Sequence, residues 1–360
     1  MIQENKKGEE RVLDSIKMSR VILPILLGLG VVIWMMSRQL DWEEFKAIQW
    51  TSKTSFWLLM AGLMYLIRHV FYAWRLRVMT SEEFTWGKSM QLIVIWEFAS
   101  AVSPTSIGGS AVALFLLAQE KISGAKTISV VLYSMVIDTI FFIVSLPLLY
   151  FLVGPIIIRP GMFTAAELDG FAYTFFTVIL FMASYGALFA YGLFWRPDHL
   201  KKILLWFSRL RFLKRFKEDL EKTANDVVIT SNEISAKPVS FHVYSSIATW
   251  GAWITRFLAL NCIIIALITA IPLDFYSQLL IYARGESMHA ITAFSPTPGG
   301  AGIAEYLFGG FFADYIPKGI ATVIALVWRI ITYYPYLVLG AIVIPVWLRS
   351  IVNRKRNISI

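Results

Sequence analysis

The sequence predicts an all-α polytopic membrane protein with about six full transmembrane helices plus two re-entrant helical hairpins. Those eight hydrophobic segments form an inverted-topology repeat. Three observations lead there. Hydrophobic residues fill 57% of the 360 positions, above the roughly 45–50% of soluble domains. Several apolar runs reach the roughly 20 residues that cross ~30 Å of hydrocarbon. A proline–glycine break, "SPTPGG" at 295–300, has a near copy, "SPTSIGG", at 103–109.

Taken in order, residues 1–20 form a polar, basic tail carrying Lys6, Lys7, Arg11, Lys17 and Arg20. The apolar run 21–36 follows, flanked by charge and without a small-residue cleavage site behind it, so it reads as a retained helix rather than a signal peptide. A second helix spans about 56–78 and holds Arg68 and His69 well inside it. The apolar stretch 90–118 is interrupted by the first break. Helices at about 127–151 and 171–195 come next, then one long basic segment, 196–238. A helix at about 241–271 contains Arg256. Two short apolar pieces, 279–294 and 302–312, surround the second break, and a last helix at about 318–348 leads into a basic tail at 350–360. The transmembrane domain is thus 21–349.

Lysine and arginine in short loops set orientation. The N-terminal tail, the 196–238 segment and the C-terminal tail are the basic parts, which places both termini on the cytoplasmic face of the cell (inner) membrane. Arg75, Arg77 and Lys88 are expected on that face too. The loops near 154–170 and Asp274 are poor in cations and belong outside. With those sides fixed, 90–118 must enter and leave from the cytoplasm, and 279–312 from outside. Helix, hairpin and helix over about 56–152 then repeat over about 241–348 with opposite orientation, as in many secondary transporters. Arg68 precedes Pro104 by 36 residues and Arg256 precedes Pro296 by 40, so the buried charge recurs.

Broken backbone survives at membrane depth only where protein or a wet cavity surrounds it. Proline removes a donor and disfavours helix in the preceding residue, while glycine permits tight turns and close backbone approach. Ser103, Pro104, Thr105, Gly108 and Gly109 at the first break, and Ser295, Pro296, Thr297, Pro298, Gly299 and Gly300 at the second, are the expected substrate-binding corners. Helices restarting after Gly108 and Gly300 would aim free amides and partial positive charge at the same place, an arrangement suited to an anion, phosphate above all.

Arg68, Arg256 and Arg329 lie in otherwise apolar helices, where each charge costs about 2.5–3.5 kcal/mol at mid-depth. Guanidinium groups bind phosphate oxygens in pairs, so these three join the candidate site. They could instead pair with the buried acids Glu97, Asp138, Glu286 and Glu305. Glu305 itself could hold a cation, a proton or an arginine. Asp138 sits mid-helix and His289, six residues before Ser295, could titrate near neutrality; both are candidates. His69 points to another helix face and reads as structural.

No histidine or cysteine spacing suits a metal, the single Cys262 allows no intrachain disulfide, and no cofactor is expected. The net charge of +9 reads as orienting loop charge, not nucleic-acid binding. Within the basic segment, a helix at about 198–222 carries Ile203, Trp206, Phe207, Leu210, Leu213 and Leu220 near helical spacing, as for a helix lying on anionic inner-leaflet lipid. Assembly into a homo-oligomer stays open.

The stretch "PTPGGAGIAE", its partner "SPTSIGGSA" and the apolar layout resemble the lysylphosphatidylglycerol synthase transmembrane region family of flippase-like proteins, over about 21–348. In two-domain members the membrane part moves aminoacylated phosphatidylglycerol between leaflets and a soluble domain makes it. This chain ends soon after its last helix, so the synthase activity is not carried over. The resemblance implies lipid translocation, with Pro296, Pro298, Gly299, Gly300 and Glu305 building a headgroup site. The first expectation is a flippase for a phosphate-containing lipid, either a phospholipid or a polyprenyl phosphate. Without a Walker-type loop, it would be driven by a gradient or by downstream consumption. A transporter of a small soluble anion is the second. A membrane enzyme acting on a lipid phosphate, with Glu305 or Asp138 as base, is the third, and the absence of a metal cluster or paired catalytic acids weighs against it. The chain is therefore expected not to be an enzyme.

Overall fold

The computed structural model describes residues 43, 46, 48, 50–103, 105–120, 122–164, 169–208, 217–293, 295, 297, 300 and 302–356. The predicted first helix, 21–36, lies outside them, as do Pro104, Pro296, Pro298 and Gly299. Twelve α-helices are described: α1 (Ser52–Met79), α2 (Trp86–Val102), α3 (Thr105–Gln119), α4 (Gly124–Val153), α5 (Gly170–Phe194), α6 (Pro197–Ser208), α7 (Lys217–Ser235), α8 (Val239–Leu267), α9 (Phe275–Thr292), α10 (Ile303–Phe311), α11 (Lys318–Thr332) and α12 (Tyr334–Arg356). The chain is an all-α polytopic membrane protein. Among the described residues, five stretches are long and apolar enough to cross a bilayer: α1, α4, most of α5, α8, and α11 with most of α12.

Local chemistry sets several of these ends. The hydroxyls of Thr51, Thr85 and Ser123 and the carboxylate of Asp274 each accept the amide three residues on, capping α1, α2, α4 and α9. The last apolar stretch, expected as one helix, is two. Pro335 lacks the amide that would bond a carbonyl one turn earlier, and the break falls two residues before it, at Tyr333, with φ −119° and ψ −55°. The basic segment also forms two helices rather than one, with 209–216 outside the described residues. α7 docks firmly on the bundle, where Thr230 Oγ1 donates to the Ala125 carbonyl at 2.7 Å and Ser231 Oγ to the Leu193 carbonyl at 2.5 Å.

Helices α1 and α8 make the most extensive contact in the molecule. Around them, α2 packs on α3 and α9 on α10, each pair flanking one break. In addition, α12 lies against α2 and α4 against α9. Helices α2, α3, α9 and α10 have 17, 15, 18 and 9 residues, each too short for ~30 Å of hydrocarbon at ~1.5 Å per residue. The free ends of the first pair meet, because Lys88 Nζ lies 2.5 Å from Glu120 Oε1, which also accepts from Trp347 Nε1 at 2.5 Å. For the second pair, Arg284 on α9 bonds Asp314 beyond α10, and its Nε donates to the Ile156 carbonyl at 3.0 Å.

Candidate functional site

The first break is a tight corner. Ser103 ends α2 in extended backbone, φ −86° and ψ 139°, as expected for a residue before proline. Helix α3 begins at Thr105, not after Gly108 as the sequence suggested, so Gly108 and Gly109 lie within the helix. Gly109 serves close packing: a Cβ there would fall 2.0 Å from Ser100 Oγ on α2 and 3.0 Å from its Cα.

At the second break Ser295 Oγ bonds Thr297 Oγ1 at 2.8 Å and accepts the Thr297 amide at 3.2 Å. Gly300 and Gly302 take φ values of 69° and 83°, a region costly for side-chain-bearing residues. Helix α10 then starts, and the first amide at its amino end is taken within the chain. Glu305 turns back, and its Oε2 accepts the Gly302 amide at 2.7 Å. The partial positive charge of the helix start is met by the chain's own carboxylate.

Glu305 has a second partner, the Arg329 Nε on α11 at 2.7 Å, with both side chains almost fully buried. The Arg329 guanidinium lies over the Tyr333 ring, 4.9 Å from its centroid, and Tyr333 Oη donates to the Ala101 carbonyl of α2 at 3.0 Å. A continuous chain of contacts therefore runs from the first break to the second.

On the α1 side, Arg68 is 1% exposed. Its Nη2 donates to Glu97 Oε2 at 2.7 Å and its Nη1 to Tyr336 Oη at 3.1 Å, with the Tyr65 and Tyr72 rings against it. His69 Nδ1 meets the same Tyr336 hydroxyl at 3.0 Å, consistent with a structural role. Asp138 pairs with Arg75, whose Nη1 lies 2.6 Å from Oδ1, and the same oxygen accepts from Trp253 Nε1 at 2.9 Å. Arg75, counted in the sequence only as a charge at the cytoplasmic end of its helix, is a buried residue of α1. The seven-residue interval from Arg68 puts both on one helix face, a signal that loop-charge counting overlooks.

Two of the three predicted arginines are thus neutralised by carboxylates, and the third is not. Arg256 forms no hydrogen bond or ion pair among the described residues, and its guanidinium lies 5.5 Å from the Trp253 ring centroid. Its neighbours on that face of α8, Ala252, Trp253, Ala259 and Leu260, are buried, yet Arg256 itself is half-buried. On the opposite face, Val243, Ile247, Ile254 and Leu258 are exposed and suit contact with lipid.

Arg68, Arg256 and Arg329 all lie close enough to act electrostatically on Tyr65 and on His289. His289 sits among aromatic rings, 5.1 Å from Trp253 and 5.8 Å from Phe142 and Phe257. Glu97, Asp138, Arg256, His289 and Thr297 are all half-buried. Residues from both halves of the chain thus converge around one net positive charge. Tyr333, Tyr336 and Trp253, which join the pieces, carried no sequence signal beyond being aromatic. Among the described residues no cluster of histidine, cysteine and carboxylates suits a metal.

Residues 21–340 match the family model described as the lysylphosphatidylglycerol synthase TM region. A UPF0104 membrane protein of Archaeoglobus fulgidus is 23% identical over 314 residues, which cover 84% of this chain and 89% of that protein. No solved structure matches.

Proposed function

This chain belongs to the lysylphosphatidylglycerol synthase transmembrane region family, and from that premise we propose that it carries a phosphate-bearing lipid between leaflets. The headgroup passes between the two breaks while the acyl chains trail in the bilayer. Arg256 carries the reading. A guanidinium at depth that forms no ion pair among the described residues and rests on an indole ring has a strong drive to acquire an anion, and phosphate accepts two parallel N–H donors. Arg68 and Arg329 have their charge met by Glu97 and Glu305 and so do not compete for the ligand. The apolar outer face of α8 supports a route on which the tails stay in lipid.

The test uses proteoliposomes holding a fluorescent anionic phospholipid and an external quencher. Protein should speed exposure of the label. Arg256→Ala should slow it about tenfold or more, in line with the ~1.5–3 kcal/mol of a hydrogen bond to a charged group, and Arg256→Lys should recover part of the rate. Equal rates with and without protein would remove this reading. Uptake of free inorganic phosphate without lipid movement would replace it with soluble-anion transport.

A further inference from the structure

One buried acid takes no part in this cluster. Glu286 lies eleven residues into α9, about 16 Å along the helix, and is 0% exposed. A carboxylate sealed at such depth without a cation is unfavourable by several kcal/mol and finds a partner or keeps its proton.

No cation accompanies Glu286 among the described residues. Packed on α9 are α4, α5, α8, α10 and the short uncharged 3-10 helix Pro155–Ile157. From α4 comes Ser145 Oγ, hydrogen-bonded to Glu286 Oε1, whereas Asp138 is occupied by Arg75 and Trp253. Helix α5 is free of charged residues, and its Tyr185 bonds Thr139. Arg256 of α8 rests on Trp253, and Glu305 of α10 is held by Arg329. On α9 itself, Tyr282 lies beside Glu286 one turn earlier, Arg284 is bonded to Asp314, and His289 sits in its aromatic ring cluster.

The hydrogens can be counted. Ser145 has one hydroxyl proton, and its Oγ lies within bonding distance of two oxygens, the Phe141 carbonyl at 2.7 Å and Glu286 Oε1. A carbonyl cannot donate and one serine proton cannot serve two acceptors, so both contacts are met only when Ser145 donates to Phe141 and the carboxyl keeps its own proton. The hydrogen between Ser145 and Glu286 then belongs to the carboxyl. An ionised Glu286 would compete with Phe141 for the serine proton, with the Tyr282 hydroxyl as its other nearby donor, and its Oε2 meets no well-aligned hydrogen-bond partner among the described residues.

We propose that Glu286 is a proton-binding site within the membrane. It holds one proton while α4 and α9 are in contact, releases it to water when they part, and takes one back before they close. If the chain moves a lipid as proposed above, each passage is tied to that proton. The coupling rests on that reading, and the proton site does not.

Infrared spectra of the purified protein, titrated from about pH 5 to about pH 9 across the ordinary carboxyl range, test the site. The carbonyl stretch of a neutral carboxyl should persist through neutrality, vanish in Glu286→Gln and shift in Ser145→Ala, which keeps the acid but removes its acceptor. Carboxylate bands alone, or a neutral band that survives Glu286→Gln, would overturn it. In vesicles with labelled anionic phospholipid, a gradient of about one pH unit should sustain up to about a tenfold leaflet asymmetry at one proton per passage, and Glu286→Gln should abolish it. Lipid that equilibrates in the wild type regardless of the gradient sinks the coupling and leaves lipid transport standing. An intact infrared band without lipid movement supports the proton site and sinks the transport reading.

Discussion

Tyr333 Oη donates to the Ala101 carbonyl at 3.0 Å, tying the joint between α11 and α12 to the last turn of α2. Ala101 stands just before the first break, and the Tyr333 ring carries Arg329, the partner of Glu305 beyond the second. One hydroxyl thus connects two breaks that lie about 190 residues apart in the chain. Tyr333→Phe should lower stability by about 0.5–1.5 kcal/mol, the net value of one such bond, as read from detergent melting curves. It should slow lipid movement by more than that loss of stability accounts for. Wild-type transport in this variant would show that the link has no part in function.

Glu305 and Arg329 form a sealed pair, so removing one partner strands the other. Arg329→Met or Glu305→Leu alone should destabilise the protein by about 3–5 kcal/mol, and the double variant by less than either single one. A double-mutant cycle on thermal unfolding measures this. Additive losses would mean that the two charges do not depend on each other.

Gly109 allows α3 to lie directly on α2. Gly109→Ala should destabilise the protein by about 1–3 kcal/mol through overpacking, because its Cβ would meet Ser100. Adding Ser100→Gly should restore most of the loss in the same melting assay, whereas Ser100→Ala, which keeps the obstructing Cβ, should not.

Asp274 caps α9 from an exposed loop, with its Oδ1 accepting the Ser277 amide at 2.9 Å. That backbone bond, with further help from the Ser277 side chain, holds its carboxyl below the ordinary value. A depressed acid adds stability that is complete above its unfolded pKa and disappears as pH falls through the folded one. Asp274→Asn retains a capping group without a titrating one. Its melting temperature should lose the acid-side fall that wild type owes to this residue, which melting curves below about pH 4 measure.

The spanning helices were readable because their apolar runs are long, and both breaks announced themselves through proline and glycine. The partner of each charge was not readable. Arg68, Arg75, Arg256 and Arg329 look alike in sequence, and what separates them is which neighbouring helix presents a carboxylate. Glu97 and Asp138 reach theirs from α2 and α4, contacts that join residues 29 and 63 positions apart. Glu286 was an equally plausible arginine partner by sequence, yet it faces a serine. Counting cations near a boundary overlooked the role of Arg75, because the count does not ask which face of the helix a charge occupies. The last apolar run hid a joint, although "YYPY" spells it once the proline is weighed against the hydrophobicity around it.

Trp253 is shared between two tasks. Its ring face lies beside the Arg256 guanidinium and its indole nitrogen holds Asp138, which in turn holds Arg75 on α1. An anion drawn onto Arg256 would weaken the cation's hold on that ring and let the indole tilt. Any tilt loads the Asp138–Arg75 tether between α4 and α1. Occupancy at one guanidinium would thereby be felt as tension between α1 and α4.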